Sequence, residues 1–137
     1  MAFYRGQEGS VKFDDAGTTA AAITSTRAWT LSVEKEALDT TVLGDTYRAN
    51  IGGLISGSGT VELLYTASSA DETNVFIERV NAANDDGAAL FEFYLYSTTK
   101  KITFDGVITS AEYSATVGEI EVITCNFVTN GAITLDI

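Results

Sequence analysis

The residues of this chain that could do chemistry are few, and histidine is not among them. Cys125 is the only cysteine. It shares one side of a predicted strand with Ile123 and Phe127, a setting that predicts a buried and unreactive thiol. Because the commonest general base is missing, the pairing of a nucleophile with an imidazole is excluded, as are zinc sites that need imidazole. We therefore expect no catalytic residue, no metal ligand and no cofactor.

Adjacent acidic residues are the next candidates, and they occur as Asp14 with Asp15 and as Asp85 with Asp86. Acid and base catalysis needs two carboxyl groups that converge across a cleft, whereas neighbouring acids on a turn project apart and stay solvated. The run 84–87 also lacks the alternate spacing and the distal glutamate of a calcium loop. An enzyme built on such an acid pair stays an alternative, which loss of activity on replacing one of these acids would support.

Glycine clusters at 52–53 and 57–59 are the last motif of this kind. A dinucleotide-binding loop follows a strand, begins a helix and carries three spaced glycines. Here the glycines lead into a strand, and the third spaced glycine is missing. We therefore interpret them as turns and points of close backbone approach.

The composition fits one folded domain over residues 1–137, since 45% of the residues are hydrophobic. Eight basic and nineteen acidic side chains give a formal charge of -11, and only Lys100 and Lys101 are adjacent. Scattered and outnumbered cations do not grip a phosphate backbone, which argues against specific nucleic-acid binding. Since neither a membrane-spanning apolar run nor a secretion signal is present, we expect a soluble protein made in the cytoplasm, with no membrane partner.

A long connection between two predicted strands is the element around which the rest is arranged. Strand alternation runs from Trp29 to Glu34 and resumes only at Thr60. A connection of that length is unusual in a compact domain unless it has a function, and we refer to it, at about 37–56, as the arm. Its apolar residues are too many to leave in water, which indicates that they contact another surface. They are Leu38, Val42, Leu43, Tyr47, Ile51, Leu54 and Ile55.

Most of the remaining chain has the period-two pattern of strands. The strands are predicted at 9–13, 27–36, 57–66, 88–96, 101–113, 119–129 and 132–137. Asn130 with Gly131 predicts a hairpin turn between the last two. One helix is predicted at about 71–83, where a capping box precedes an apolar stripe that includes Phe76 and Val80. Proline, which often blunts exposed sheet edges, is absent, so we expect these edges to pair with other subunits.

These elements predict a mostly β fold, an antiparallel β-sandwich or partly rolled barrel with one packed α-helix and a long hairpin arm. The inward positions are expected to be Trp29, Leu31 and Val33 in one strand and Phe91, Phe93 and Leu95 in another. The outward side of the second strand is expected to carry Glu92, Tyr94 and Tyr96. An alternative function, a carbohydrate- or receptor-binding module, would use an aromatic platform of Trp29, Tyr94, Tyr96 and Tyr113. Sugar affinity of a soluble monomer would favour that alternative.

Three short motifs follow one another in and beside the arm. They are Trp29 at the start of a strand, the run 39–46 (Asp-Thr-Thr-Val-Leu-Gly-Asp-Thr), and Arg48 followed by Gly53-Leu54. This segment resembles the corresponding segment of the major tail tube proteins of long-tailed bacteriophages. Related β domains occur in contractile phage tails, bacterial injection machines, tail terminators and hub proteins, and the arm motif is most similar to the tail tube.

The resemblance implies a structural role in place of an enzymatic one. In that family six subunits form a ring around an inner β-barrel, rings stack into a tube through the arm, and the genome passes through the lumen. Carried over to this chain, the arm residues that stack the rings are Leu38, Asp39, Thr41, Leu43, Gly44, Asp45, Tyr47, Arg48, Ile51 and Leu54. The residues implied to line the channel are Thr30, Ser32, Glu34, Thr60 and Glu62.

The same resemblance implies the partners and the location. The partners are further copies of the chain and other tail proteins, while DNA passes without specific binding. The location is the virion tail, after synthesis in the cytoplasm of the bacterial host. Negative charge along the channel suits this role, because it prevents DNA from adhering to the wall.

Overall fold

A computed structural model of the chain describes residues 9–14, 21–23, 26–65, 76, 78–83, 85–96 and 99–137. The strands are β1 (Ser10–Asp14), β2 (Ala21–Ala22), β3 (Thr26–Asp39), β4 (Asn50–Leu64), β5 (Ala89–Tyr96), β6 (Lys100–Ser114) and β7 (Val122–Asp136). All seven belong to one antiparallel sheet with the order β2-β1-β5-β6-β7-β4-β3. The predicted mostly β, antiparallel fold is therefore confirmed.

Phenylalanine side chains build the core on one face of this sheet. Phe91 lies at its centre, stacked on Phe104 with ring centroids 5.0 Å apart and in edge contact with Phe13 at 5.1 Å. The other fully buried rings around it are Phe76, Phe93 and Phe127. Alternating positions in the strands supply these rings, so the period-two pattern placed the core correctly.

The sheet is strongly curved. Trp29 in β3 and Phe93 in β5 have ring centroids 4.8 Å apart, although three strands lie between β3 and β5 in the sheet order. In a flat sheet the same two strands would be about 19 Å apart at the usual strand spacing. Curvature therefore brings the β3 edge back over the core, where the aromatic side chains close the contact.

β3 and β4 extend beyond the rest of the sheet as a hairpin. β4 pairs with β7 only from Ser58 to Leu64, whereas its pairing with β3 continues to Asn50, opposite Asp39. Half of the segment predicted as an arm is thus strand, and residues 40–49 form the loop at its tip. Alternation fades there because the projecting hairpin has no buried face to impose it.

The predicted helix at 71–83 falls largely outside the described residues. Within them, Arg79–Asn81 form a 3-10 turn. Phe76 is buried, with its ring 5.1 Å from that of Phe13, and Val80 packs against the core. Of the three described members of the predicted stripe, Phe76 and Val80 therefore cover the sheet as expected, whereas Ala83 is exposed. The helix itself stays a prediction.

The predicted hairpin at Asn130 and Gly131 is wrong. β7 runs through both residues, and its two halves pair with the same strand, β6, in the same direction. The pairing skips residues 131–132 between Asn130 and Ile133, and Gly131 has a φ of 88°. A positive φ suits a glycine in a bulge as well as in a tight turn, so the dipeptide alone does not distinguish the two.

A largely buried ion pair next to this bulge stabilises it. Arg79 donates to Asp85 through Nε and Nη2, at 3.3 and 3.0 Å, with both side chains only 12% exposed. Asp85 also accepts from the Gly87 amide at 2.9 Å, and the Gly87 carbonyl accepts from Asn130 Nδ2 at 3.1 Å. Burial raises the pKa of Asp85, but the hydrogen bonds from Gly87 and Arg79 outweigh it and hold that pKa below its usual value.

Three assignments of side-chain direction also change. Val33 is exposed, because β3 has by then passed the end of the core. Leu95 is exposed as well, since the pairing of β5 with β6 shifts between Tyr94 and Tyr96. Tyr94 was expected to face water but is buried, with two lysine ammonium groups 5.0 and 5.8 Å from its ring centroid.

Candidate assembly surfaces

The tip of the arm is folded by a small set of polar side chains. The Thr41 amide donates to Asp39 Oδ1 at 2.8 Å, and the Thr41 hydroxyl accepts from the Ala49 amide at 2.8 Å. The same hydroxyl lies 3.4 Å from the Ala49 carbonyl, which also accepts from the Thr40 amide at 2.8 Å. These bonds close the base of the loop without any help from the core.

The second half of the motif closes the loop's end. The Val42 amide donates to Asp45 Oδ2 at 3.0 Å, and the Asp45 amide returns a bond to the Val42 carbonyl at 3.2 Å. Gly44 between them has a φ of 98°, a conformation that side chains with a Cβ rarely adopt. The motif residues Asp39, Thr41, Gly44 and Asp45 are therefore framework residues of the tip.

The hydrogen bonds from the side chain and the amide of Thr41 lower the pKa of Asp39. Each of them is donated to the ionised carboxylate, so each favours the charged form. Since this carboxylate is fully open to water, the bonds define a local loop conformation and contribute little to the stability of the whole chain.

What the framework presents to solvent is apolar. Leu43 is fully exposed, Tyr47 and Leu54 nearly so, and Leu38 lies directly opposite Ile51 on the hairpin. Every apolar arm residue singled out from the sequence is at least 43% exposed. Arg48 at the tip makes no salt bridge with another residue of the described ranges. Nothing in the described part of the chain covers this surface, so it is available to a partner.

A second surface lies on the polar face of the sheet, away from the core. Thr30, Thr60, Asn126 and Ser110 stand side by side across β3, β4, β7 and β6. The Thr60 hydroxyl donates to Asn126 Oδ1, and Asn126 Nδ2 donates to the Ser110 hydroxyl, both at 2.8 Å. These bonds join the side chains of β4, β7 and β6, and Thr30 in β3 continues the polar row.

The neighbouring row carries acidic groups. Glu62 in β4 lies opposite Thr124 in β7, which in turn lies opposite Glu112 in β6. Arg27 is 3.6 Å from Glu62 and is itself mostly exposed, so it offsets little of the charge there. Ser32 and Glu34, opposite Ser58 and Ser56, extend the same face toward the arm.

The five residues assigned to a channel from the sequence therefore share one face, and the structure adds others to it. The additions are Ser110, Glu112, Thr124 and Asn126. A signal for them was present in the sequence, because Thr124 and Asn126 alternate with buried Ile123, Cys125 and Phe127. What the sequence lacked was the strand order that places β7 beside β4.

Other candidate groups have structural roles. Cys125 is buried as predicted, and burial raises its pKa to about 11. Asp85 forms an ion pair with Arg79, and Asp86 Oδ1 accepts a hydrogen bond from the Ala88 amide at 3.1 Å. Asp15 lies outside the described residues.

Within the described ranges, no three or more His, Cys, Asp or Glu side chains gather where they could hold a metal ion. Of the helical residues that the structure describes, none belong to a helix long and apolar enough to cross a membrane.

The aromatic platform of the alternative function does not form. Trp29 packs against Phe93, and Tyr94 is buried with its hydroxyl donating to Glu92 Oε2 at 2.7 Å. Burial, together with this bond, raises the pKa of Tyr94 to about 12. Tyr96 ends β5 and pairs with Lys100 at the start of β6, whereas Tyr113 lies near the end of β6, so these rings do not share one surface.

Comparison with solved structures identifies the fold. The chain is similar to a subunit in the tail of an empty gene transfer agent particle with C6 symmetry, with a TM-score of 0.76, 20% identity, and 97% of this chain and 98% of that chain covered. It is also similar to the SPP1 tail tube protein, with a TM-score of 0.70, 17% identity, and 97% and 80% covered. A third similar structure is a chain of the anti-feeding prophage baseplate, with a TM-score of 0.67, 9% identity, and 98% and 95% covered.

Sequence comparison adds no relative to these. No protein-family model matches the chain, and no curated protein matches it. The likeness is therefore one of fold, and in that respect the resemblance to tail tube proteins noted from the arm motif is confirmed.

Proposed function

We propose that this chain is a structural subunit of a phage-type tail, which assembles with further copies of itself into stacked hexameric rings that form a tube. Residues 1–137 act as one domain in this role, without enzymatic activity. The observation that carries the proposal is the conjunction of a tail-tube fold with an exposed apolar arm that the described part of the chain leaves uncovered.

The arm is the part that stacks one ring on the next. Its framework residues Asp39, Thr41, Gly44 and Asp45 hold the tip in shape, while Leu43, Tyr47 and Leu54 make contact with the neighbouring ring. An arm folded before assembly supports tight stacking, because little conformational entropy is lost when it docks.

The polar face of β3, β4, β7 and β6 lines the channel. Its exposed groups are hydroxyls, amides and carboxylates, and the formal charge of the whole chain is -11. A wall of that kind repels the phosphate backbone, so DNA passes without being bound. Ring closure also covers the outer edge of β3, which is the last strand in the sheet order.

Negative-stain electron microscopy of the purified protein tests the proposal. We expect hollow tubes from the wild-type chain and folded, tube-free protein from Leu43→Asp, because a charge placed in an apolar contact has no partner there. Ile137→Asp changes another exposed apolar residue, which lies outside the arm, and serves as the control. If the wild-type chain stays monomeric at high concentration, the proposed function is wrong. Tubes of normal length from Leu43→Asp would overturn the role of the arm alone.

A further inference from the structure

A shallow groove lies at the end of the sheet opposite the arm. Its volume is about 300 Å³, and it is lined by Tyr65, Tyr113, Ser114, Ala115, Glu121 and Ile123. Tyr65 directly follows the last residue of β4. The first residue of β4, Asn50, directly follows the arm tip. Tip and groove are therefore at the two ends of one strand.

The rim of the groove is apolar and acidic. The turn between β6 and β7 leaves Val117 fully exposed and Ile120 largely so. Glu119 and Glu121 lie in the same turn, and the run 115–121 contains no basic residue. The turn is anchored at its base, where the Tyr65 amide donates to the Glu121 carbonyl at 2.9 Å.

The arm tip complements this groove in shape and charge. The tip is convex, with apolar Leu43 and Tyr47 exposed, whereas the groove is concave with apolar walls. Arg48 is the only basic residue of the loop 40–49, and the groove carries Glu121. Complementary charges of this kind favour the right partner and the right orientation more than they add affinity.

We infer that the arm tip of one copy occupies the Tyr65–Tyr113 groove of a second copy in the next ring, with Arg48 facing Glu121. The inference rests on the proposed function and specifies the partner surface of the arm. A single molecule cannot make this contact, because β4 holds its own tip and groove at opposite ends. Contact between two different surfaces of identical chains can repeat without closing, and along the axis of the tube it repeats as a stack.

The geometry also limits the spacing of the stack. β4 has 15 residues, which span about 50 Å when fully extended at the usual rise per residue. Since successive copies are joined from tip to groove, the axial repeat of the tube should not exceed the length of β4 and the tip loop together.

Engineered disulfides test the contact directly. We expect the full chain carrying both Leu43→Cys and Tyr113→Cys to give a ladder of dimers, trimers and longer species on a non-reducing gel after mild oxidation of assembled tubes. The native Cys125 is buried and does not interfere. Each single-cysteine variant is the control and should give no ladder. Because Tyr113→Cys changes a partly buried ring, Leu43→Cys with Val117→Cys repeats the test at a fully exposed position.

A charge exchange gives an independent measurement. Arg48→Glu and Glu121→Arg should each shorten or abolish tubes, and the double variant should restore at least half of the wild-type length. Wild-type tubes combined with no ladder from either cysteine pair and no rescue would overturn this inference alone. Failure of the wild-type chain to form tubes would overturn the proposed function and this inference together.

Discussion

The core and the arm both carry apolar side chains, which are buried in the core and exposed in the arm. In the core, six phenylalanines are fully covered by the chain's own strands. In the arm, leucine, isoleucine, valine and tyrosine side chains are left in water, although hydrogen bonds close the base of the tip loop. The difference separates the free energy that folds the molecule from the free energy that is available for assembly.

The largest effect is expected from a change in the core. Phe91→Ala removes the ring at the centre of the cluster and should lower the free energy of unfolding by about 3–5 kcal/mol. Leu43→Ala removes an apolar side chain of the arm and should change it by less than about 0.5 kcal/mol. Urea unfolding followed by circular dichroism measures both. Equal losses for the two variants would mean that the arm belongs to the folding unit.

The next effect concerns the ion pair that supports the bulge in β7. Asp85→Asn removes the carboxylate to which Arg79 donates two hydrogen bonds and should cost about 1.5–3 kcal/mol of unfolding free energy. Asp86→Asn is the matched control, because Asp86 is exposed and accepts a single amide bond from Ala88. If Asp86→Asn lowered the free energy of unfolding as much as Asp85→Asn, the effect would come from the turn and not from the ion pair.

A smaller and purely local effect is expected at the arm tip. Thr41→Val removes the hydroxyl that bonds the Ala49 amide, while the global free energy of unfolding should move by less than about 0.5 kcal/mol. Hydrogen exchange at the Ala49 amide should become faster, and tube formation should be weakened because the tip loses its shape. Thr46→Val in the same loop is the control. Unchanged exchange at Ala49 would contradict the framework role of Thr41.

The smallest effect is a pH dependence confined to the tip. The folded loop lowers the pKa of Asp39, so its contribution is fully present above the ordinary aspartate pKa of about 3.9 and is lost as the pH falls through the lowered value. The NMR shift of the Thr41 amide should report this titration, and Asp39→Asn should abolish it. Cys125 in the core stays protonated throughout, since burial raises its pKa to about 11. A Thr41 amide that titrated at the ordinary value would contradict the bond to Asp39.

Much of the strand layout followed from the sequence, because a sheet with one covered face imposes strict alternation. Phe91, Phe93, Phe104 and Phe127 are buried as that pattern predicts. The pattern failed where no face is covered. In the arm hairpin both faces are open to solvent, so its strands could not be recognised from periodicity.

The remaining errors concern long-range pairing. Asn130 with Gly131 has the conformational preferences of a turn, and only the shared partner strand β6 makes it a bulge. The channel candidates in β3 and β4 came from the resemblance to tail tube proteins, applied to the polar side of these two strands. Those in β6 and β7 were missed because their place beside β4 is a property of sheet order, which local patterns do not encode.

The way β4 enters the sheet has a mechanical consequence. Tension on the arm acts along β4, at right angles to the hydrogen bonds that join its lower half, Ser58 to Leu64, to β7. Under force along the strand, the hydrogen bonds of this ladder therefore bear the load together. Force across the strands would instead break these hydrogen bonds one after another. Stretching a tube joined through such arms would strain the contacts between rings before it unravelled a subunit.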